Sequence, residues 1–348
     1  MIVSFAATAV SMISPGTANS GEPAWLSSGD FHWKISRPLV EPAQYESNSI
    51  ISVKDPSIVY HDDRWHLFCT LRGEQKSHQV EYITFKDWNA VDRAERHLIL
   101  PDEQHFCAPQ VFYFTPHKKW YMICQASNEN WDPKYGAAFS TNDDIADPDG
   151  WTPLSPVGQK LVDGKKSGLD FWVICDEEKA HLFFTTNDGR MWREETPIDQ
   201  FPFGWSEPEL AIRGDIFEAG HIYRLRGLDQ YLTIIEAQRF DSGTWRYYKA
   251  YVADTLDGQW RPLAATREKA FADIFNGKPE GDHWTDSISH AEMIRTGADE
   301  HLEVDPDNLQ CVFQGVSNAD RAGKAYGAIP WRLGLITLDH GDPTESDR

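Results

Sequence analysis

Three carboxylates open apolar runs at distant points of the chain: Asp55 in SVKDPSIVY, Asp170 in SGLDFWVI and Glu218 in DIFEAGHIY. Pro56 forces Asp55 toward an extended backbone. The adjacent Lys54 would hold that carboxylate ionised, but neighbours in a regular strand point to opposite faces, so the pairing needs a bulge. Asp170 leads a strongly apolar strand, where an unpartnered buried charge is too costly to be incidental. Glu218 sits among Phe217, Ala219 and Gly220, surroundings that desolvate the carboxyl, raise its pKa and keep it protonated near neutral pH. A protonated carboxyl facing an ionised one equips a site for glycoside hydrolysis. The first protonates the leaving oxygen, and the second activates water or attacks the sugar. The environments make Asp55 the base, Glu218 the acid and Asp170 the group that tunes the acid. Each alone also reads as an ordinary strand-end charge; the three together argue for chemistry.

The elements that must position them repeat. Five times a small or polar residue opens a short strand that turns into a second, aromatic and β-branched one: DPSIVYHDDRWHLFCT from Asp55, APQVFYFTPHKKWYMICQ from Ala108, DFWVICDEEKAHLFFTT from Asp170, EAGHIYRLRGLDQYLTII from Glu218 and HAEMIRTGADEHLEV from His290. Openings spaced by roughly 50 to 70 residues match blade-type repeats. The pattern predicts an all-β, five-bladed β-propeller, in which the first strand of each blade lines a central channel and equivalent strand starts converge at one mouth. On this alignment three of the five starts are carboxylates and one is a histidine.

The 348 residues are ordinary for one closed all-β domain. A formal charge of -21 disfavours nucleic acid and anionic membranes as partners and favours a neutral ligand. Fourteen tryptophans suit both blade packing and stacking on sugar faces. The five cysteines, an odd number, fall mostly inside apolar strand runs without a CxxC pair, so no disulfide framework is expected. Residues 1–20 resemble a signal peptide, with an apolar run and Ala18-Asn19-Ser20, although no Lys or Arg precedes that run. The expected organisation is a leader over 1–20, an arm over 21–51 packing on the propeller, the propeller over 52–340 and a polar tail over 341–348. The mature protein is expected to be a secreted, soluble monomer.

The runs VKDPSIVY, APQVFYFTPHKKWYMICQ, DIFEAGHIYRLRGLDQYLTIIEA, WTDSISHAEMIRT, DPDNLQCVFQG and YGAIPWRLGLITL resemble, in order, glycoside hydrolase family 62, the α-L-arabinofuranosidases that remove arabinose from arabinoxylan. The likeness covers about Ser52 to Leu338. It implies a five-bladed propeller and a single-displacement, inverting mechanism, with the acid and base carboxyls about 6.5 to 9.5 Å apart. It also implies general base at Asp55, pKa-modulating aspartate at Asp170, general acid at Glu218 and a sugar-binding lysine at Lys54. His290 matches a histidine at a channel metal, calcium with mostly water ligands. Arg246 and Tyr326 match positions near the sugar, and Trp131 a tryptophan of the xylan groove. Two stretches depart from the family pattern: Gly220-His221 stands where Pro-Gln usually follows the acid, and Phe171 replaces a polar neighbour of Asp170. Asp307 occupies a position that is a cysteine in disulfide-bearing members. The readings left beside it are a related family 43 arabinanase or xylosidase, a sugar-binding propeller without turnover, and a structural propeller.

Overall fold

The computed structural model describes residues 22–103, 105–240 and 245–341; the leader expected at 1–20 and residues 342–348 of the tail lie outside them. Alternating apolar hairpins fold into five small sheets arranged as a five-bladed β-propeller. Blade 1 comprises Ile50–His61, Arg64–Gly73, Gln79–Phe85 and Glu95–Ile99. Its first hairpin closes on Asp62 and Asp63, both at positive φ, as a two-residue turn between right-twisted strands requires. Blade 2 is built from Phe106–Phe114, Lys119–Ser127, Tyr135–Asn142 and Ser155–Pro156, and blade 3 from Leu169–Cys175, Lys179–Thr185, Arg190–Pro197 and Glu209–Arg213. Blade 4 contains His221–Leu225, Tyr231–Gln238, Arg246–Ala253 and Arg261–Ala264, with Glu303–Val304 added in parallel along its inner edge.

Blade 5 joins the two ends of the chain. Ser289–Met293, Gln310–Gly315 and Arg332–Leu338 pair in order, and the early strand Trp33–Ile35 adds antiparallel to Arg332–Leu338. Gly277–Pro279 then covers the outer edge in parallel. Part of the 21–51 segment is thus a blade strand, locked in place by the Trp33 indole donating to Phe271 O at 2.6 Å. The apolar cores lie between blades. One threads blades 2 to 5 around Trp172, Phe183 and Tyr223; another joins blades 5 and 1 through Leu333, Val53 and Leu67; a third joins blades 1 and 2 through Phe68, Trp120 and Met122. All five cysteines are free and buried.

Around the channel the inner strands are clasped by side chains at one repeated position. Ser57 Oγ accepts from Val111 N at 2.9 Å, and Gln110 makes both hydrogen bonds to the Val173 backbone, at 2.6 and 2.7 Å. The Trp172 indole donates to Ile222 O at 3.0 Å, His221 Nδ1 donates to Ala291 O at 2.9 Å, and Glu292 Oε1 accepts from Ile58 N at 3.2 Å. The circuit runs through blades 1 to 5 and back to blade 1. Arg295 reinforces the closure, its Nη2 donating to Glu292 Oε1, Ile58 O and Val111 O, each at 2.9 Å. Arg295→Met strands a fully buried Glu292 and two carbonyls, so it should cost about 3 to 5 kcal/mol in urea unfolding. A loss below about 1 kcal/mol, the scale of an ordinary surface pair, would show that this clasp does not close the ring.

Candidate active site

Each inner strand begins with a kink. Asp55, Ala108, Asp170, Ala219 and His290 occupy equivalent places two residues before the clasp position, and all five are left-handed, with φ of 47°, 49°, 52°, 50° and 37°. Non-glycine residues adopt this conformation at a cost, so the surroundings must enforce it. They do so through the amides. Asp55 N donates to Gln314, Ala108 N to Thr70, Asp170 N to Gln125, Ala219 N to Asp170 and His290 N to Glu236, each acceptor belonging to the preceding blade. The register slips at the kink between Lys54 and Ser57, Cys107 and Gln110, Leu169 and Trp172, and Ser289 and Glu292.

This geometry changes one feature of the repeat as aligned from sequence. The fourth kink falls on Ala219, so Glu218 is equivalent to Lys54, Cys107, Leu169 and Ser289 rather than to the two aspartates. The repeated opening therefore carries two aspartates, two alanines and a histidine, with Glu218 reaching in from the position before. A sequence alignment maximising like residues pairs Glu218 with Asp55 and misplaces it by one.

The bulge also brings Lys54 to Asp55. Their Nζ and Oδ1 stand 3.6 Å apart, where unbroken alternation would separate them. His290 Nδ1 lies 3.2 Å from the same oxygen. Burial alone would raise the Asp55 pKa, but Lys54, His290 and the Thr70 hydroxyl together hold it below the usual carboxylate range. Asp170 has the opposite balance. Burial and the charge on Asp55 push it up to about 7, against the Ala219 N–H that its Oδ2 accepts at 3.0 Å. Glu218 is also raised to about 7, by burial first and then by Asp170 and Glu236, although Arg246 Nη1 approaches its Oε1 at 3.0 Å and opposes the shift. Glu218 has 17% of its side chain exposed, against 7% for Asp55.

Two cations and a phenol complete the wall. Lys54 Nζ lies 5.2 Å from the Tyr326 ring centre, and the Arg246 guanidinium packs over Phe217 at 4.4 Å and Trp245 at 4.6 Å. Seven of the eight residues singled out from sequence therefore meet: Lys54, Asp55, Asp170, Glu218, Arg246, His290 and Tyr326. Trp131 sits farther out, half buried in the turn between Lys119–Ser127 and Tyr135–Asn142 and packed against the blade 1–2 core. That turn leaves blade 2 at the end where the inner strand starts, since Ser127 N donates to His105 O.

Tyr135, Cys107 and His78 also feel the site charges and were not picked out from sequence. The His78 ring meets His105 edge-on at 4.6 Å, and burial with His105 and Lys54 lowers its pKa to about 4. None of these opens a repeat, and only the fold brings them in. For a metal, His290 offers one imidazole whose Nδ1 is engaged by Asp55 and whose ring meets His221 edge-on at 5.3 Å. Among the described residues no three His, Cys, Asp or Glu side chains converge as a cage. The donor set thus suits only a cation that keeps most of its water shell.

An ionised carboxylate and a protonated one set apart by environment can perform paired base and acid catalysis. Comparison with known proteins places the chain among glycoside hydrolases. Residues 32–337 match the model of Glycosyl hydrolase family 62. Alpha-L-arabinofuranosidase C of Cellvibrio japonicus is 38% identical over 315 residues, covering 88% of this chain and 47% of that protein; the chain spans about half the length of this curated relative. An α-L-arabinofuranosidase of Podospora anserina solved with cellotriose superposes with TM-score 0.81 at 35% identity, over 89% of this chain and 98% of that one. A family 62 hydrolase solved with xylotriose gives 0.79 and 34%, over 90% and 99%.

The raised Glu218 pKa has a measurable consequence for stability. The native state keeps a proton that the unfolded chain, with an ordinary value of 4.5, has already released, so unfolding free energy falls as pH climbs from 4.5 through about 7. Glu218→Gln removes this term, and thermal melts should show the variant gaining on the wild type between about pH 5 and pH 8. Parallel curves for the two proteins would mean that Glu218 is not protonated in the folded site.

Proposed function

This chain belongs to glycosyl hydrolase family 62, and on that premise we propose that it is an inverting α-L-arabinofuranosidase releasing terminal arabinofuranose from arabinoxylan. The observation that carries the proposal is that one buried site holds Asp55 between Lys54 and His290, which favour its ionised form, and Glu218, whose pKa burial raises to about 7. Asp55 takes a proton from a water whose oxygen attacks the anomeric carbon. The glycosidic bond breaks with its electron pair going to the xylose oxygen, which receives the Glu218 proton, and the sugar leaves with inverted configuration. Asp170, its pKa raised to about 7 by burial and by Asp55, adds less negative charge against Asp55 than an ordinary aspartate would. Lys54, Arg246 and Tyr326 present donors to the hydroxyls of the furanose, and Trp131 lies outward on the same face for the xylan chain.

The xylotriose held by a relative supports a xylan backbone, while the cellotriose held by another is also a β-1,4 chain, so backbone length and linkage are shared by both. Within this proposal His290 would hold a channel Ca2+ through its imidazole, and such an ion would supply electrostatic anchoring of the channel floor. A substrate of polymer size, too large to enter a cell, fits a secreted protein.

The decisive experiment is incubation with wheat arabinoxylan followed by proton NMR. Arabinose should appear first as the β-anomer; initial α-anomer would indicate a covalent intermediate, and no arabinose would leave a binding protein. Substitutions separate the roles. Asp55→Ala and Glu218→Ala should each lower polymer turnover by roughly 100-fold or more, the share that general acid–base groups supply. Glu218→Ala should lose far less on an aryl arabinofuranoside, whose leaving group needs no proton, and equal losses on both substrates would contradict the acid assignment.

A further inference from the structure

On the second strand of each blade one residue lies opposite the position that precedes the kink. Thr70 pairs with Lys54, Gln125 with Cys107, Thr185 with Leu169 and Gln314 with Ser289, and Glu236 N donates to Glu218 O at 3.0 Å. Three of the four neutral residues, Thr70, Gln125 and Gln314, accept the amide of the next blade's kink, so a threonine or glutamine suffices for that task. Glu236 performs it too, its Oε2 accepting from His290 N at 2.8 Å and Ser289 Oγ at 2.6 Å. It alone of the five is an acid, and it is fully buried. A buried carboxylate is expensive where a glutamine would serve, unless its charge has a separate use.

The other oxygen shows the use. Glu236 Oε1 accepts from Arg246 Nη1, the same nitrogen that lies 3.0 Å from Glu218 Oε1. Arg246 is itself buried, with 3% of its side chain exposed. We propose that Glu236 is a positioning residue for the reaction: it fixes the Arg246 guanidinium against Glu218 and so aims the acid at the departing oxygen. The proposal rests on the reading of Glu218 as general acid. A second carboxylate on that nitrogen also keeps Arg246 from neutralising Glu218 by itself, and the charge of Glu236 favours the proton on Glu218.

The test compares Glu236→Gln, Glu236→Asp and Glu218→Ala in the full chain on wheat arabinoxylan and on 4-nitrophenyl α-L-arabinofuranoside. Gln keeps an acceptor for His290 N but loses the charge that holds Arg246. Polymer kcat should fall by roughly 100-fold, the scale of a misaimed catalytic group, with a several-fold smaller loss on the aryl substrate. Glu236→Asp keeps the charge one methylene short and should restore part of the polymer rate. A structural role alone lowers Tm and affects both substrates equally. A folded Glu236→Gln with equal losses, or with none, overturns the proposal. If Glu236→Gln does not fold, Glu236→Asp decides, a polymer-selective loss supporting the role and an equal loss overturning it. Where Glu218→Ala shows the leaving-group bias and the Glu236 variants do not, only this inference falls. Where Glu218→Ala shows none, the acid assignment falls with it.

Discussion

Five backbone kinks, each held by a side chain from the preceding blade, are the constraint on which the site depends. A residue at positive φ is disfavoured by its own Cβ, so Asp55, Asp170 and His290 occupy that conformation only while Gln314, Gln125 and Glu236 take up their amides. Those acceptors lie in neighbouring blades, which ties the aim of each functional side chain to closure of the whole propeller. Asp170 belongs to both sets. Its amide is held by Gln125 of blade 2, and its carboxylate holds the kink at Ala219 that sets Glu218 in place. Closure in turn depends on the clasps lower in the channel and on the chain end that lends Trp33–Ile35 to blade 5.

Electrostatics then follows from composition of the pocket. Four carboxyls, Asp55, Asp170, Glu218 and Glu236, share it with two permanent cations, Lys54 and Arg246. Away from water, neighbouring like charges oppose one another's ionisation, so some of the carboxyls are pushed up in pKa. Geometry decides which. Lys54 and His290 converge on Asp55, while Arg246 is divided between Glu236 and Glu218, leaving Glu218 and Asp170 as the groups most favourably protonated. The positive charge gathered on Asp55 favours its ionised form, and the smaller share left to Glu218 favours its protonated one.

The repeat, the blade count and the three acids were legible in sequence because strand periodicity and apolar flanks are local. The Lys54–Asp55 contact was legible only as a condition, since a bulge is a property of pairing with Arg64–Gly73 and leaves no mark in SVKDPSIVY itself. The one-residue offset of Glu218 was hidden for a related reason: Ala219 carries the kink, and an alanine at positive φ advertises nothing. Glu236, Tyr135 and His78 lie on second strands, in turns or at strand edges, where their relation to the acids is set entirely by folding.

The family departures beside the acids acquire a different meaning from their positions. Gly220 and His221 stand two and three residues after Glu218 in the chain. His221 is turned into the channel, stacked on Trp172 at 4.1 Å and donating to Ala291 O, so it serves the clasp between blades 4 and 5. A Cβ on Gly220 would meet Met191 Sδ at 2.8 Å, so the glycine permits close approach of blade 3 rather than shaping the catalytic carboxyl. Phe171 likewise packs on Phe184 within its own blade. Changes at 171 and 220 therefore act on blade packing, whereas a change at 221 bears on the site as well, because the His221 ring meets His290 edge-on at 5.3 Å and feels the charge of Asp55.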